Sequence, residues 1–284
     1  MMSKESYKMD MCNGPVLQKV IAFSLPLMLS SCLQLLFNAA DVIVVGRFAG
    51  STSLAAVGST TELLSLLTTL FIGFSIGANV NVARTLGNQD DQGTKDGIHT
   101  AVSVSILSGS AMILLGFLFG RPMLQWMGTP ADVIDKASLY LMIIFIGMPS
   151  NMAYNFGSAI LRAMGDTKRP LYFLSAAGAL NVVLNLIFVI VLHMDVAGVA
   201  LATILSETLS AVLILNCLCR TDGPCHLNIR KLYIQKDQLI RMLRIGLPAG
   251  IQSGMFSFSN VLIQSSINSF GSVVMAGSSA SASI

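Results

Sequence analysis

Widely spaced charged residues divide the chain into long apolar runs. Six runs, each with at most one acidic residue, cover residues 20–46, 48–83, 97–120, 137–161, 170–194 and 196–219. A bilayer core about 30 Å thick requires about 20 apolar residues in a spanning helix. The runs are continuous rather than alternating, which favours helices over barrel strands. The pattern therefore predicts six spanning helices, and the uncharged stretch 245–284 predicts the start of a seventh.

Composition supports the same class of protein. Hydrophobic residues make up 54% of the 284 and charged residues 11%, with a mean hydropathy of +0.73. Soluble domains carry about 25% charged residues, so lipid must be the solvent for much of this chain. We expect an all-α polytopic membrane protein. The first 18 residues are polar and the apolar run after them is too long for a signal peptide, so no cleaved signal is expected.

The basic residues predict how the chain crosses the membrane. The N-terminal tail and the loops after spans 2, 4 and 6 hold 14 of the 17 Lys and Arg, and the other loops hold Arg47, Arg121 and Lys136. Cytoplasmic loops carry the excess of Lys and Arg, which predicts a cytoplasmic N-terminus in a multi-pass protein of the cell (inner) membrane. The net charge of +3 is thus explained by topology, and we expect no nucleic-acid partner.

An internal repeat predicts the domain organisation. Ser24-Leu25-Pro26 matches Gly246-Leu247-Pro248 at an offset of 222 positions, and Asn38 and Phe48 fall on Asn260 and Phe270 at the same offset. Two six-helix halves would both begin on the cytoplasmic side, as parallel repeats about an axis along the membrane normal. We predict an N-terminal six-helix lobe at 1–218, a cytoplasmic linker at 219–240 and the start of a second lobe at 241–284. The expected whole is a chain of about 440–460 residues.

Polar residues inside the first span indicate a functional face. Gln34, Asn38 and Asp41 follow Ser31 at i+3, i+7 and i+10, so the four share one side of a helix. An acidic residue inside a span is costly and is by default a functional hypothesis. Asp41 could bind Na⁺ or take up a proton. The structural alternative is an interfacial carboxylate close to Arg47.

Two further polar pairs lie one turn apart, Asn181 with Asn185 in span 5 and Thr203 with Glu207 in span 6. Amide and hydroxyl oxygens coordinate hard cations, although the same groups also hold helices together by hydrogen bonds. Spacing alone assigns no role to Glu207 or to Glu62 in span 2.

Small and cyclic residues suggest packing and bending points. Pro26, Pro149 and Pro248 lie inside predicted spans, where proline removes a hydrogen bond and kinks the helix. Gly73 and Gly77 form a G-x-x-x-G pair that permits close approach of another helix, and a structural role is favoured for them.

No set of residues typical of an enzyme is present. The sequence contains no phosphate loop and no nucleophile elbow, so we expect neither ATP-driven pumping nor a catalytic cofactor. The C-x-C of Cys217 and Cys219 lacks the second pair that a zinc site needs, and Cys12 and Cys225 also fall in or near cytoplasmic segments. Free thiols are therefore expected.

Several of these motifs together resemble the MATE (multidrug and toxic compound extrusion) family of transporters. They are the stretches 25–29, 34–41, 45–47, 54–58, 77–84, 163–170 and 196–203, scattered over nearly the whole chain. The resemblance implies twelve helices in two lobes around a V-shaped cavity. It also implies a monomeric antiporter that exports cationic or amphipathic drugs in exchange for H⁺ or Na⁺.

The resemblance also implies roles for individual residues. Asp41 matches the cation site of the N-terminal lobe, which could hold Na⁺, and Asn181, Asn185 and Thr203 are expected to couple the cation with it. The expected substrate pocket consists of Gln34, Asn38, Tyr140 and Asn155, and Pro26 matches a helix-bending proline. Many members have a second aspartate where this chain has Asn185, which leaves the coupling ion open.

Two alternative readings remain at this stage. One is a lipid-linked oligosaccharide flippase of the wider superfamily, which would favour a cationic cavity, whereas Arg and Lys are absent from the inner parts of these spans. The other is an inactive half-transporter fragment that needs a partner.

Overall fold

The computed structural model describes residues 15–281. The polar N-terminal tail with Cys12, and the last three residues of the predicted second lobe, lie outside this part. The described chain is helical, without strands, in the order α1 Val16–Val44 with a π-helical turn Val45–Ala49, α2 Ser51–Gly87, α3 Asp91–Trp126, α4 Ile134–Ala163, α5 Lys168–Asn185 with a π-helical turn Leu186–Val191, α6 Asp195–Cys219, α7 Lys236–Asn268 and α8 Ser272–Ser281.

The six predicted spans are confirmed. Each of the first six helices is long and apolar enough to cross a bilayer, with α1 and α5 counted together with their π-helical turns. The predicted seventh span corresponds to α7, which is 33 residues long but is not among the six helices that meet this test. Its run of Gln, Ser and Asn residues lowers its hydropathy.

Helix ends follow from local chemistry. The Asp90 carboxylate accepts a hydrogen bond of 2.8 Å from the backbone N–H of Gly93 and so caps α3. The side-chain oxygen of Gln235 accepts from the backbone N–H groups of Asp237 and Gln238. Because of this cap α7 begins at Lys236, five residues before the predicted lobe boundary at 241.

The core of the bundle lies around α4. Phe145 and Phe156 are fully buried, and α4 packs against α2, α3 and α6. Glycines on α3 make this possible, since Gly116 lies against the Phe145 ring and Gly109 against the backbone of Pro149. By contrast α1 packs mainly on α5, and Pro26 and Val44 are its only buried residues.

A crossing of four glycines joins α2 to α7. Gly73 and Gly77 lie against Gly246 and Gly250, so the two backbones are in direct contact. The structural role predicted for the G-x-x-x-G pair is confirmed, and its partner is the matching pair on α7.

Two helix breaks in the backbone lie at nearly the spacing of the sequence repeat. Gly50, with φ of 87°, ends the first helix and Ser51 begins α2, while Gly271, with φ of 91°, precedes Ser272 at the start of α8. These pairs are 221 positions apart, one fewer than Pro26 and Pro248. A π-helical turn accommodates one extra residue, and Val45–Ala49 lies between Pro26 and Gly50. The predicted match of Phe48 with Phe270 falls in this shifted part, so the 222 register does not hold there.

Charged groups separate to the two ends of the bundle. At one end the Lys136 ammonium contacts the Asp195 carboxylate at 2.6 Å and the Ser53 hydroxyl at 2.8 Å. At the other end the linker between α6 and α7 lies on α3. There the backbone N–H of Asn228 donates to Nε2 of His99, whose ring stacks on Tyr233.

Tyr233 is held by its neighbours at this second end. Its hydroxyl donates a hydrogen bond to the Asp96 carboxylate. Partial burial, together with this carboxylate, raises the pKa of Tyr233 to about 12, so the phenol stays protonated as the donor.

The glycine crossing predicts an asymmetric mutational response in α7. Gly250→Leu should lower the free energy of unfolding by about 1–3 kcal/mol because its side chain would meet the backbone of Leu70. Gly254→Leu, one turn away, meets nothing within 4 Å and should not destabilise. Thermal unfolding of the purified variants in detergent measures both. Equal losses would contradict the crossing.

Candidate functional site

A small polar cavity lies inside the bundle, between α1, α4, α5 and α6. Its volume is about 110 Å³. Its polar lining consists of Gln34, Asn38, Asp41, Asn151, Tyr154, Asn155, Asn181, Thr203, Ser206, Glu207 and Ser210. Two of these residues are acidic, and none of the described lining residues is Lys or Arg.

Asp41 is connected to helices 5 and 6 by a chain of amides. Its carboxylate accepts a hydrogen bond from Nδ2 of Asn185. The same Asn185 nitrogen donates to Oδ1 of Asn181 at 3.1 Å, and Nδ2 of Asn181 makes a long contact of 3.5 Å with the Thr203 hydroxyl. The interfacial alternative for Asp41, a pairing with Arg47, is not what this geometry shows.

One acceptor in this chain of amides has no partner. Oδ1 of Asn185 is buried, and no hydrogen bond reaches it among residues 15–281. The Asn185 side chain is 1% exposed, and an unsatisfied buried polar atom costs about 1–3 kcal/mol. A cation or a water bound at this oxygen would satisfy it. The oxygens at hand, from a carboxylate, amides and a hydroxyl, are those that a hard cation such as Na⁺ prefers.

Glu207 shares the cavity with Asp41. Its carboxylate accepts a hydrogen bond of 2.7 Å from Nδ2 of Asn151, whose Oδ1 accepts one of 2.9 Å from Asn155. Sequence reasoning gave no role to Glu207 and missed Asn151. A signal for Asn151 was present, because Asn151 and Asn155 repeat in span 4 the one-turn spacing of Asn181 and Asn185.

The predicted substrate residues do not form a separate pocket. Gln34, Asn38 and Asn155 line the same cavity as Asp41. Tyr140 is buried in α4 and is not among the lining residues. The Ser31 hydroxyl bonds to the carbonyl of Leu27 instead of facing the cavity.

Two other predicted positions lie elsewhere. Pro26 is buried within α1, which continues as a helix on both sides of it. Glu62 is partly exposed on α2 and is not among the cavity residues. Arg162 lies in the last turn of α4, at the end of that span, and lines a second cavity.

The size of the polar cavity limits what it can hold. A water occupies about 30 Å³ in the liquid, so 110 Å³ holds three or four waters. Pockets for drug-sized ligands measure about 300–1,000 Å³. In this structure the cavity is therefore large enough for a partly hydrated cation and too small for a drug.

Comparison with known proteins agrees with the fold. The MatE family model matches residues 26–187, more than half of the chain, and the chain belongs to the MatE family. It is 31% identical over 272 residues to the probable multidrug resistance protein YpnP of Bacillus subtilis, covering 94% of this chain and 60% of that protein.

Two further relatives give the same picture. The multidrug export protein MepA of Staphylococcus aureus is 23% identical over 263 residues, covering 93% of this chain and 58% of MepA. A solved inward-facing conformation of a multidrug resistance MATE family transporter aligns with a TM-score of 0.80 at 25% identity, covering 92% of this chain and 60% of that one. The chain thus spans about three-fifths of the length of these relatives.

The contact between Asp41 and Asn185 predicts energetic coupling. In a double-mutant cycle of Asp41→Asn and Asn185→Ala, the two losses of unfolding free energy should differ from additivity by about 1.5–3 kcal/mol, the range for hydrogen bonds to charged groups. Asp41→Asn with Asn155→Ala, two residues that are not hydrogen-bonded to each other, is the control. Chemical denaturation in mixed micelles gives the energies, and additivity in the first cycle would contradict the contact.

Proposed function

We propose that this chain works as the N-terminal lobe of a secondary active antiporter that exports cationic or amphipathic drugs in exchange for H⁺ or Na⁺. The observation that carries this proposal is the acidic cavity, which Asp41 and Glu207 both line, without a basic residue in the lining. Such a lining attracts cations, the class to which both coupling ions and the expected drugs belong. The names of YpnP and MepA support drug export.

Coupling follows from competition for the same residues. The coupling ion binds at Asp41 with Asn181, Asn185 and Thr203, while Gln34, Asn38 and Asn155 line the same 110 Å³. Because the ion and the drug would contact the same side chains, the two do not bind there together. Each ligand therefore weakens binding of the other by the same factor, as linkage requires.

Helix α1 is the element that responds to the ion. Few of its side chains are buried, and the contact of the Phe37 ring with Gly178 of α5 is one of its close contacts. Neutralising Asp41 changes its hydrogen bond with Asn185. This in turn changes how α1 packs against α5. Bending at Pro26 would then reshape the cavity and release the drug outward. We propose no catalytic cofactor for this mechanism, because the gradient of the coupling ion across the membrane supplies the driving free energy.

A flippase is less consistent with the cavity. A lipid-linked pyrophosphate would need basic side chains, and the lining of this cavity is acidic. In this chain α7 and α8 already pack against α2. Whether the chain is only a half-transporter is tested by the resistance experiment described next. The complete antiporter is proposed to act as a monomer in the cell membrane.

Replacing Asp41 by Asn should reduce drug resistance to the level of cells without the protein, because the ion site loses its charge. Resistance is measured for the 284-residue chain and for the chain continued to the length of its relatives, at equal membrane expression. Asp135→Asn, a 77% exposed carboxylate paired with Arg121, is the control and should keep resistance. Undiminished resistance in the Asp41 variant would refute the assignment. Resistance from the longer form alone would identify the 284 residues as a half-transporter.

The charge separation predicts the orientation. In a background without cysteines, Ser51→Cys should react with a membrane-impermeant maleimide in intact cells, because it lies at the proposed outer end of α2. Asn88→Cys, exposed at the opposite end of the same helix, should react only after permeabilisation. The opposite labelling pattern would place the N-terminus outside.

A further inference from the structure

A second cavity of about 230 Å³ lies between α1, α2 and α4, toward the end of the bundle that carries most of the basic residues. Arg162 provides its charge, Asn79 a polar wall, and Phe23, Leu27 and Ile76 its apolar walls. Its lining carries a positive charge, whereas that of the Asp41 cavity is acidic, since none of the described residues that line it is Asp or Glu.

The Arg162 guanidinium lacks a negative partner. Its Nε donates to the Ser158 carbonyl at 3.2 Å and one terminal nitrogen to the Ser158 hydroxyl at 2.9 Å. Both acceptors are neutral, and no ion pair to Arg162 is found among residues 15–281. The side chain is largely withdrawn from solvent, and a charge taken out of water without a partner is costly. By contrast Arg169, at the same end of the bundle, is paired with Asp166.

The cavity is formed because α1 stands away from α2 and α4. The first helix packs chiefly on α5, which leaves the α2 and α4 surfaces near Arg162 uncovered. On α2, Ile76 is 45% exposed and continues the apolar wall outward. An amphiphile in the bilayer could therefore place a charged group at Arg162 and a hydrocarbon chain along Phe23, Leu27 and Ile76.

We propose that this cavity binds a phosphate-bearing anion, with the Arg162 guanidinium holding the phosphate oxygens. The planar guanidinium matches phosphate by paired hydrogen bonds. A volume of 230 Å³ accommodates a phosphate group with part of its headgroup, and is below the range of about 300–1,000 Å³ for drug-sized ligands. The source is either an anionic lipid headgroup or a free phosphate. This assignment does not depend on drug transport.

The cavity shares two helices, α1 and α4, with the Asp41 cavity. Asn155 in the acidic cavity and Arg162 in the basic one are seven residues apart on α4, about 10 Å along the helix axis. Both cavities use α1 as a wall. An anion at Arg162 therefore fixes the first half of α1, while the Asp41 network fixes the second half.

The test measures binding to the purified protein in a neutral detergent. One arm titrates phosphatidylglycerol with phosphatidylcholine as the neutral comparison, and the other titrates inorganic phosphate. Bound lipid is counted by native mass spectrometry, and stabilisation by either ligand is followed by thermal unfolding. Arg162→Gln removes the charge, Arg162→Lys keeps it, and Arg84→Gln removes an exposed arginine at the same end of the bundle.

We expect Arg162→Gln to weaken binding about tenfold, Arg162→Lys to retain part of it, and Arg84→Gln to leave it unchanged. An effect confined to phosphatidylglycerol identifies a lipid headgroup, and an effect with inorganic phosphate identifies a free anion. Equal losses from Arg162→Gln and Arg84→Gln, or no difference between Arg162→Gln and the unchanged protein in either arm, would overturn the proposal. A monodisperse profile in size-exclusion chromatography shows that the variants are folded.

Discussion

The burial of two carboxylates inside a membrane bundle is the constraint on which the rest of this structure depends. A charged side chain in a spanning helix is costly unless it meets water, an ion or hydrogen-bond donors. Asp41 meets Asn185, and Glu207 meets Asn151. Both carboxylates therefore lie where α1, α4, α5 and α6 can supply amides, and this requirement sets which faces of the four helices point inward.

The hydrogen bonds of Glu207 and those of Asp41 join different pairs of helices. The Glu207 side joins α6 to α4, the helix at the centre of the core, where Phe145 and Phe156 are fully buried. The Asp41 side joins α5 to the lightly packed α1. A change of charge at Asp41 therefore acts on a helix that can move, whereas the same change at Glu207 acts on one that is held.

Both helices of the Asp41 contact change their winding next to it. The π-helical turn Val45–Ala49 begins four residues after Asp41, and Leu186–Val191 begins directly after Asn185. Such turns are frequent at functional sites and leave the local backbone less regularly bonded. The one in α1 also accounts for the extra residue that separates the first half of the chain from its repeat.

Sequence reasoning predicted the parts that depend on composition. Six spans follow from their apolar runs, and a close helix contact at Gly73 and Gly77 follows from their spacing, whereas its partner α7 was identified only by the structure. The direction in which the Glu207 side chain points could not be predicted from the sequence. Lipid and the bundle interior are both apolar, so hydropathy does not distinguish the two sides of α6. The shifted register after Val45 and the placement of Arg162 beside α1 also depend on three-dimensional packing that spacing does not report.

The central claim is that a coupling ion and a cationic substrate compete for one acidic cavity. Binding of a fluorescent cationic dye to the purified protein, as Na⁺ and pH are varied separately, tests it most directly. The account predicts that rising Na⁺ or falling pH weakens dye binding, and that Asp41→Asn abolishes this dependence. Dye affinity that stays constant across both titrations in the unchanged protein would contradict it.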